Sequence, residues 1–261
     1  MEDRYLFEKG VRANFTQGVQ ICRGSENIFV RSIGFGVTYT GILWGGLHRI
    51  VGTRLYERKW STRVRLLDEV LSSVEHPHRQ WLMDQLEGLY PFSSVLEVGC
   101  GYGQNIQVLA RRFLATEVMG LDINSTAVNE GNLRLAGLGI KRAHLILGKA
   151  DKLSQFADKS IDIIFTDATL LYIGPDKIKR VISEMQRVFR KALLFLELHK
   201  SRSRPDDGRL GVHTPDGWIW DYQELLIQFF RSDSIKLTKI PVDIWPTGRW
   251  PIFGHLITVL G

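Results

Sequence analysis

Apolar positions in this chain change period repeatedly, and each change marks an element. Val95, Leu96 and Val98 read as a short strand, which breaks into glycines at Gly99, Gly101 and Gly103. A helical spacing follows at Ile106, Val108, Leu109, Phe113 and Leu114. VMGLDIN is a second strand, and a helix through Val128, Leu133 and Leu135, capped by Asn124 or Ser125, runs to Gly137. AHLILG (143–148) and SIDIIFTD (160–167) are strands three and four. Gly174 and Pro175 open a helix whose apolar positions Ile178, Val181, Ile182, Met185 and Phe189 form a core face. ALLFLELH (192–199) is strand five. Strands alternating with helices predict an α/β doubly wound sheet.

Two helices are expected upstream. Val64, Leu67, Val70, Leu71 and Val74 recur at three- and four-residue steps, with Ser61 as N-cap. Trp81, Leu82, Leu86 and Leu89 share a face after His76-Pro77-His78. In the tail, 201–217 is a loop by its Gly, Pro, Asp and Arg content, and WIWDYQELLIQFF is an amphipathic helix. SIKLTKIP and FGHLITVLG read as a strand hairpin, the last strand antiparallel, because the connection is too short for a helical crossover. Met1 to about Thr53 has no clear period and lacks a secretory signal pattern. Ser32 to Leu47 carries no charge but is shorter than a spanning helix, and three readings stand for it: a flap over the active site, an interfacial membrane anchor, or a poorly ordered extension.

Chemistry gathers at the strand ends. A strand that turns through glycines into a helix aims backbone N–H groups at one spot and lets a ligand approach the main chain. Glu97 precedes the glycines. The spacing is GxGxG, with Gln104 where a dinucleotide fingerprint needs its third glycine. Asp122 closes the second strand about 20 residues on, where a carboxylate can take both hydroxyls of a ribose. The 261 residues, 44% hydrophobic, are enough for a full core. Two cysteines, Cys22 and Cys100, form neither a disulfide framework nor a zinc pattern and suit a reducing, cytoplasmic compartment. The net charge of +6 is spread along the chain, a soft hint of an anionic partner. The Arg54–Arg65 run, with Tyr56 and Trp60, is either a grip on phosphate or membrane surface or a solvated helix face. His76 and His78 lack the companions of a metal site and read as loop histidines, so no metal is expected.

Over Val95 to Leu198 the motifs LEVGCGYG, GLDIN, GKADKL and DIIFTDATLLYIGP, in that order and spacing, resemble the class I S-adenosylmethionine (SAM) methyltransferases, in their small-molecule or saccharide branch. The resemblance implies a Rossmann-like seven-stranded sheet of order 3-2-1-4-5-7-6 under a helical N-terminal cap. It divides the chain into an extension or flap (1–53), a helical cap (54–92) and a SAM-binding domain (93–261). It implies that Gly99, Gly101 and Gly103 approach the methionine part of SAM and that Glu97 orders the loop and holds the SAM ammonium. Asp122 takes the ribose, with Ile123 beside it. The family's adenine contact is an Asp directly after the third strand's glycine; here Lys149 stands there and the acid comes at Asp151. Either Asp151 or backbone around Ala150 faces the adenine.

The implied reaction is in-line methyl transfer, most of whose acceleration can come from positioning, roughly 7–11 kcal/mol. Asp167, Tyr172 and His199 lie at strand ends and are the candidates for base or acceptor contact. The Asp/Asn-Pro-Pro-Tyr/Phe tetrapeptide of amino-directed nucleic-acid methyltransferases is absent, since the stretch reads Asp167-Ala168-Thr169-Leu170, and no cysteine follows strand four for pyrimidine carbon-5 chemistry. The expected acceptor is a small molecule, saccharide or lipid, methylated on oxygen rather than nitrogen. A non-catalytic SAM-binding regulatory subunit and an RNA-modifying methyltransferase are the alternatives. Membrane contact through the N-terminal region stays open, as does the oligomeric state.

Overall fold

The computed structural model describes residues 52–201, 210–215 and 217–261. The expectations for the uncharged 32–47 stretch, for Cys22, and for residues 202–209 and 216 of the 201–217 loop lie outside these residues. The strands are β1 (Ser94–Val98), β2 (Glu117–Asp122), β3 (Ala143–Leu147), β4 (Ile161–Asp167), β5 (Phe189–Leu198), β6 (Gly211–Thr214), β7 (Gly217–Trp220), β8 (Ile235–Lys239) and β9 (Gly254–Leu260). Seven of them form one sheet in the order β3-β2-β1-β4-β5-β9-β8. The first five run parallel, and β9 is antiparallel to both its neighbours. With β8 and β9 as the sixth and seventh expected strands, this is the order 3-2-1-4-5-7-6.

Eight helices accompany the strands among the described residues: α1 (Thr53–Ser61), α2 (Leu67–Val74), α3 (Pro77–Glu87), α4 (Gln104–Arg112), α5 (Ser125–Gly137), α6 (Ile178–Val188), α7 (Tyr222–Leu226) and α8 (Trp250–Phe253). The two-residue period of the strands sorts the core into two layers. Leu96, Val98, Ile164, Leu193 and Phe195 pack with Val181, Ile182 and Met185 of α6. Val95, Ile163, Phe165, Leu194 and Leu196 pack with Leu82, Met83 and Leu86 of α3 and Ile106 and Leu109 of α4. By that alternation Glu97 on β1 and Asp167 on β4 belong to the second face, where α3 and α4 lie. Glu197 on β5 belongs to the first.

The tail corrects two expectations. Trp218, Ile219 and Trp220 form β7 rather than the start of a helix, paired to β6 from Gly211↔Trp220 to Thr214↔Gly217. All three are buried, and the two indoles stack with centroids 5.3 Å apart, so aromatic packing in an extended chain overrides the helical period. The helix begins only at Tyr222, where the Asp221 side chain caps it by accepting from Glu224 N. Glycine and proline content therefore misread 211–214 as loop.

The cap differs in detail. The basic run forms α1, whose Ser61 ends that helix instead of capping the next. Leu66 stands at the N-cap of α2. Of the expected apolar face of α2 only Val70 is buried, and Leu67 and Leu71 are exposed. Helix α1 is tied down by Thr53, which donates from N and Oγ1 to Asp176 Oδ1 (2.8 and 2.9 Å) and accepts from Gly174 N. α6 starts at Ile178, after a turn in which Gly174 O accepts from Lys177 N and Ile178 N. The cap and the sheet fall in one unit, Gly52–Gly261. No helix among the described residues is long and apolar enough to cross a membrane.

Candidate active site

A cavity of about 320 Å³ opens at the carboxyl ends of β1, β2 and β4, the crevice that open α/β sheets use. Its floor is the glycine bend. Gly99 N and Cys100 N both donate to Leu121 O, which seats the bend on β2. Gly99 has φ +85°, and a Cβ there would stand 2.2 Å from Thr169 Oγ1, so only glycine fits. Gly101, at φ +52°, has no heavy atom closer than 3.9 Å to where its Cβ would be; that space belongs to the cavity. Gly103, left-handed, starts α4.

Asp122 is fixed by the same bend. Its Oδ2 accepts from Gly101 N and its Oδ1 from Asn124 N, each at 2.8 Å. Burial raises its carboxyl above the ordinary range, against these two donors. A ribose-sized pair of hydroxyls fits this carboxylate, which keeps lone pairs toward the cavity. Ile123, Ala150 and Asp151 line the cavity beside it. Asp151 Oδ2 is paired with Lys177 Nζ (3.3 Å), and Lys177 also bonds Glu57 of α1, so this acid is anchored to the cap.

Asp167 stands in a different setting. Its side chain is nearly buried, and its Oδ2 accepts from His78 Nε2 (2.9 Å), Asn105 Nδ2 (2.9 Å) and Arg79 Nη1 (3.4 Å). Burial pushes its pKa up, but the charges and hydrogen bonds of His78, Arg79 and Asn105 outweigh burial and hold it at about 2. Asn105 Nδ2 also donates to Glu97 Oε1 (2.7 Å). Burial, reinforced by the nearby Asp167 charge, lifts Glu97 to about 8. Two buried oxygens, Glu97 Oε2 and Asp167 Oδ1, have no hydrogen-bond partner. A cavity that offers a pre-bonded carboxylate at one end and orphaned carboxylate oxygens at the other fits a ribose joined to a cationic group.

The remaining candidates divide. Tyr172 lies on the single-turn helix Leu170–Tyr172 and lines the cavity, its ring 4.6 Å from Trp60 and 5.5 Å from Tyr56. The buried Trp60 Nε1 donor on this wall is unpaired. His199 does not line the cavity. Its N donates to Phe253 O, its Nδ1 accepts from Tyr222 N (3.2 Å), and burial pushes its pKa down to about 4, so it joins β5 to the tail as a neutral ring. Among the described residues no three His, Cys, Asp or Glu side chains converge as a metal set.

Sequence reasoning missed Arg79 and Asn105 and read His78 as a loop residue. His78 is buried, stacked on Trp245 (4.2 Å), and bonded through Nδ1 to His76 Nδ1 (2.5 Å). The available signal was that Pro77 at the first helical position points His78 and Arg79 from a helix start, and that a polar Asn105 follows the glycines.

Comparison with known proteins agrees with this geometry. Residues 95–192 match a family model described as "Methyltransferase domain". A trans-aconitate 2-methyltransferase of Acidovorax ebreus is 29% identical over 46% of this chain and 39% of its own length. A fatty-acid O-methyltransferase of Mycolicibacterium smegmatis is 36% identical over 39% of this chain and 35% of its own. The chain thus spans well under half the length of the curated relatives it matches. In fold, geranyl diphosphate C-methyltransferase from Streptomyces coelicolor superposes with a TM-score of 0.54 at 15% identity, covering 76% of this chain and 85% of that one.

Proposed function

We propose that residues 95–192, which match a methyltransferase domain model, form a SAM-dependent methyltransferase domain, and that the chain methylates an oxygen of a small-molecule carboxylic acid, giving a methyl ester. The observation that carries the methyl-transfer reading is the coupling of Asp122 to the glycine bend through Gly101 N, on the floor of a cavity of nucleoside size. When bound, SAM supplies a methyl carbon already activated on a sulfonium. The residues of this chain hold, orient and exclude water. Gly99, Gly101 and Gly103 give main-chain access, Asp122 takes the ribose, and Asp151 with Lys177 closes the adenine side.

The acceptor class follows from basicity. An alcohol or phenol needs a base at the reacting oxygen. Asp167 is a weak one, because three donors engage it and its pKa is held at about 2. His199 lies away from the cavity. A carboxylate is already ionised at neutral pH and needs no proton removed. The two curated relatives named above are a trans-aconitate and a fatty-acid O-methyltransferase, both names of acids. The unpaired Trp60 indole N–H on the aromatic wall with Tyr172 is the donor available to an acceptor oxygen.

The test is transfer of labelled methyl from SAM into a panel of carboxylic acids, alcohols, phenols and tRNA. The expected product releases its label as methanol in mild alkali, as a methyl ester does. An alkali-stable product, or label in tRNA alone, would overturn the ester reading.

A further inference from the structure

We propose that Arg63 recognises a second, unreacting carboxylate of the acceptor, so that the acid is a dicarboxylate or higher polyacid rather than a monoacid. This rests on the ester reading above and deepens it, by naming the charge the acceptor carries beyond its reacting oxygen.

Most cations that line the cavity are already paired. Arg65 Nε stands 3.7 Å from Glu69 Oε2, and its Nη2 donates to Glu69 O (3.1 Å). Arg79 faces Asp167, Lys149 faces Glu57, and Lys177 faces both Glu57 and Asp151. Arg63 lines the same cavity, yet among the described residues its guanidinium has neither an ion pair nor a hydrogen bond. A free cation beside several engaged ones marks where an anion from outside the protein is received.

The side chain is nevertheless held in place. Arg63 Cζ stands 4.7 Å from the centre of the Trp60 ring, within the range of a cation on an indole face. Its backbone is fixed as well. Arg63 N donates to Trp60 O (3.3 Å), and Asn124 Nδ2 donates both to Trp60 O (2.9 Å) and to Arg63 O (2.7 Å). Asn124 caps α5 just after Asp122, so the turn that ends α1 is seated against the end of β2. Arg63 is exposed, which puts it at the mouth of the cavity rather than on its floor. A guanidinium with an open edge takes a carboxylate through two parallel hydrogen bonds, a geometry that Lys does not reproduce.

The chemistry of transfer decides which carboxylate this is. The attacking oxygen needs its electron density, and a guanidinium bonded to it would stabilise the charged form and make it less basic. A neutral N–H draws on that density less. The buried, unpaired Trp60 Nε1 therefore suits the reacting carboxylate, and Arg63 suits a different one. Indole and guanidinium are stacked, so the two carboxylates lie close enough for a short carbon chain to join them.

One turnover moves the methyl from the sulfonium to a carboxylate oxygen. The sulfonium becomes a thioether, the carboxylate becomes an ester, and no proton is released. A diacid thereby becomes a monoester with one of its two recognised charges gone. The product is expected to stop at the monoester.

Initial rates with short linear dicarboxylic acids, and with monocarboxylic acids of the same chain lengths, test this. Wild-type kcat/KM is expected to be at least about tenfold higher for the best diacid than for its matched monoacid, with one methanol released per acceptor in alkali. Arg63→Gln is expected to raise KM for the diacid about tenfold with kcat unchanged, so that the preference collapses. Arg63→Lys recovers part of it. Added salt shrinks the wild-type preference, because Arg63 is exposed. Wild-type affinity of Arg63→Gln for S-adenosylhomocysteine, measured by calorimetry, reports a folded variant with its cofactor site intact. Equal wild-type kcat/KM for diacids and monoacids would overturn the proposal and leave the ester reading standing. So would an equal rise in KM for both acids in Arg63→Gln, which would put the reacting carboxylate on Arg63. A fall in S-adenosylhomocysteine affinity in the folded Arg63→Lys protein would put Arg63 on the cofactor and overturn the proposal likewise. Wild-type protein that methylated no carboxylic acid would overturn the ester reading and the second carboxylate with it.

Discussion

The two ends of the cavity each present an aspartate at the end of a strand next to β1, and they are built in opposite ways. Asp122 takes its hydrogen bonds from two backbone N–H groups, Gly101 and Asn124, which are neutral and fixed by the glycine bend. Asp167 takes its own from His78, Arg79 and Asn105, side chains brought by α3 and α4. Burial dominates at the first and raises the pKa; at the second, burial is outweighed and the group is held at about 2. The same residue at equivalent places in a sheet thus has its pKa raised in one case and is held as a fixed negative charge in the other. Backbone donors suit a neutral sugar, and a charged, side-chain-built pocket suits an ion.

Substitutions test that contrast. Asp122→Ala is expected to have the largest effect, lowering affinity for both S-adenosylhomocysteine and methylthioadenosine by about 100-fold in calorimetry. A loss confined to the first compound would erase the distinction between the ends. Gly99→Ala disturbs the bend that joins them, since its Cβ would meet Thr169 at 2.2 Å in a left-handed backbone. It is expected to cost about 1–3 kcal/mol, seen as a fall of several degrees in unfolding temperature. An unchanged melting temperature would contradict the close approach.

Proton linkage gives two smaller tests. Glu97 is raised from the ordinary 4.5 to about 8, mainly by burial and then by Asp167. Between those values the folded protein holds a proton that the unfolded chain has lost, so stability declines as pH rises through that window. Glu97→Gln removes this decline, and its melting temperature is expected to exceed wild type by about 2–4 °C at pH 8 while converging near pH 5. Parallel curves would contradict a proton on Glu97. Asp167, depressed from 3.8 to about 2, contributes stability that is present above 3.8 and lost as pH falls toward 2. Acid unfolding should therefore show an added loss of about 1–2 kcal/mol in that window, absent in Asp167→Asn.

The same contrast explains what the sequence reveals. The bend, Asp122 and the sheet order are local or periodic features: glycines next to an apolar strand, an acid closing the next strand, and regular alternation thereafter. The cluster around Asp167 is not periodic. Arg79 and Asn105 are polar residues at helix starts, indistinguishable in sequence from solvated ones, and only the packing of α3 and α4 on the sheet face of Glu97 and Asp167 turns them inward. His199, also at a strand end, is drawn instead to the tail by Tyr222 N. The tail itself was misread at 211–220, where stacked indoles in β7 defeat the local signals.

Binding of S-adenosylhomocysteine by the unaltered protein, measured by calorimetry at neutral pH, tests the central claim most directly. One saturable site per chain with a Kd in the micromolar range, accompanied by a rise in unfolding temperature, is the predicted result. No heat and no thermal shift up to about 1 mM would contradict it.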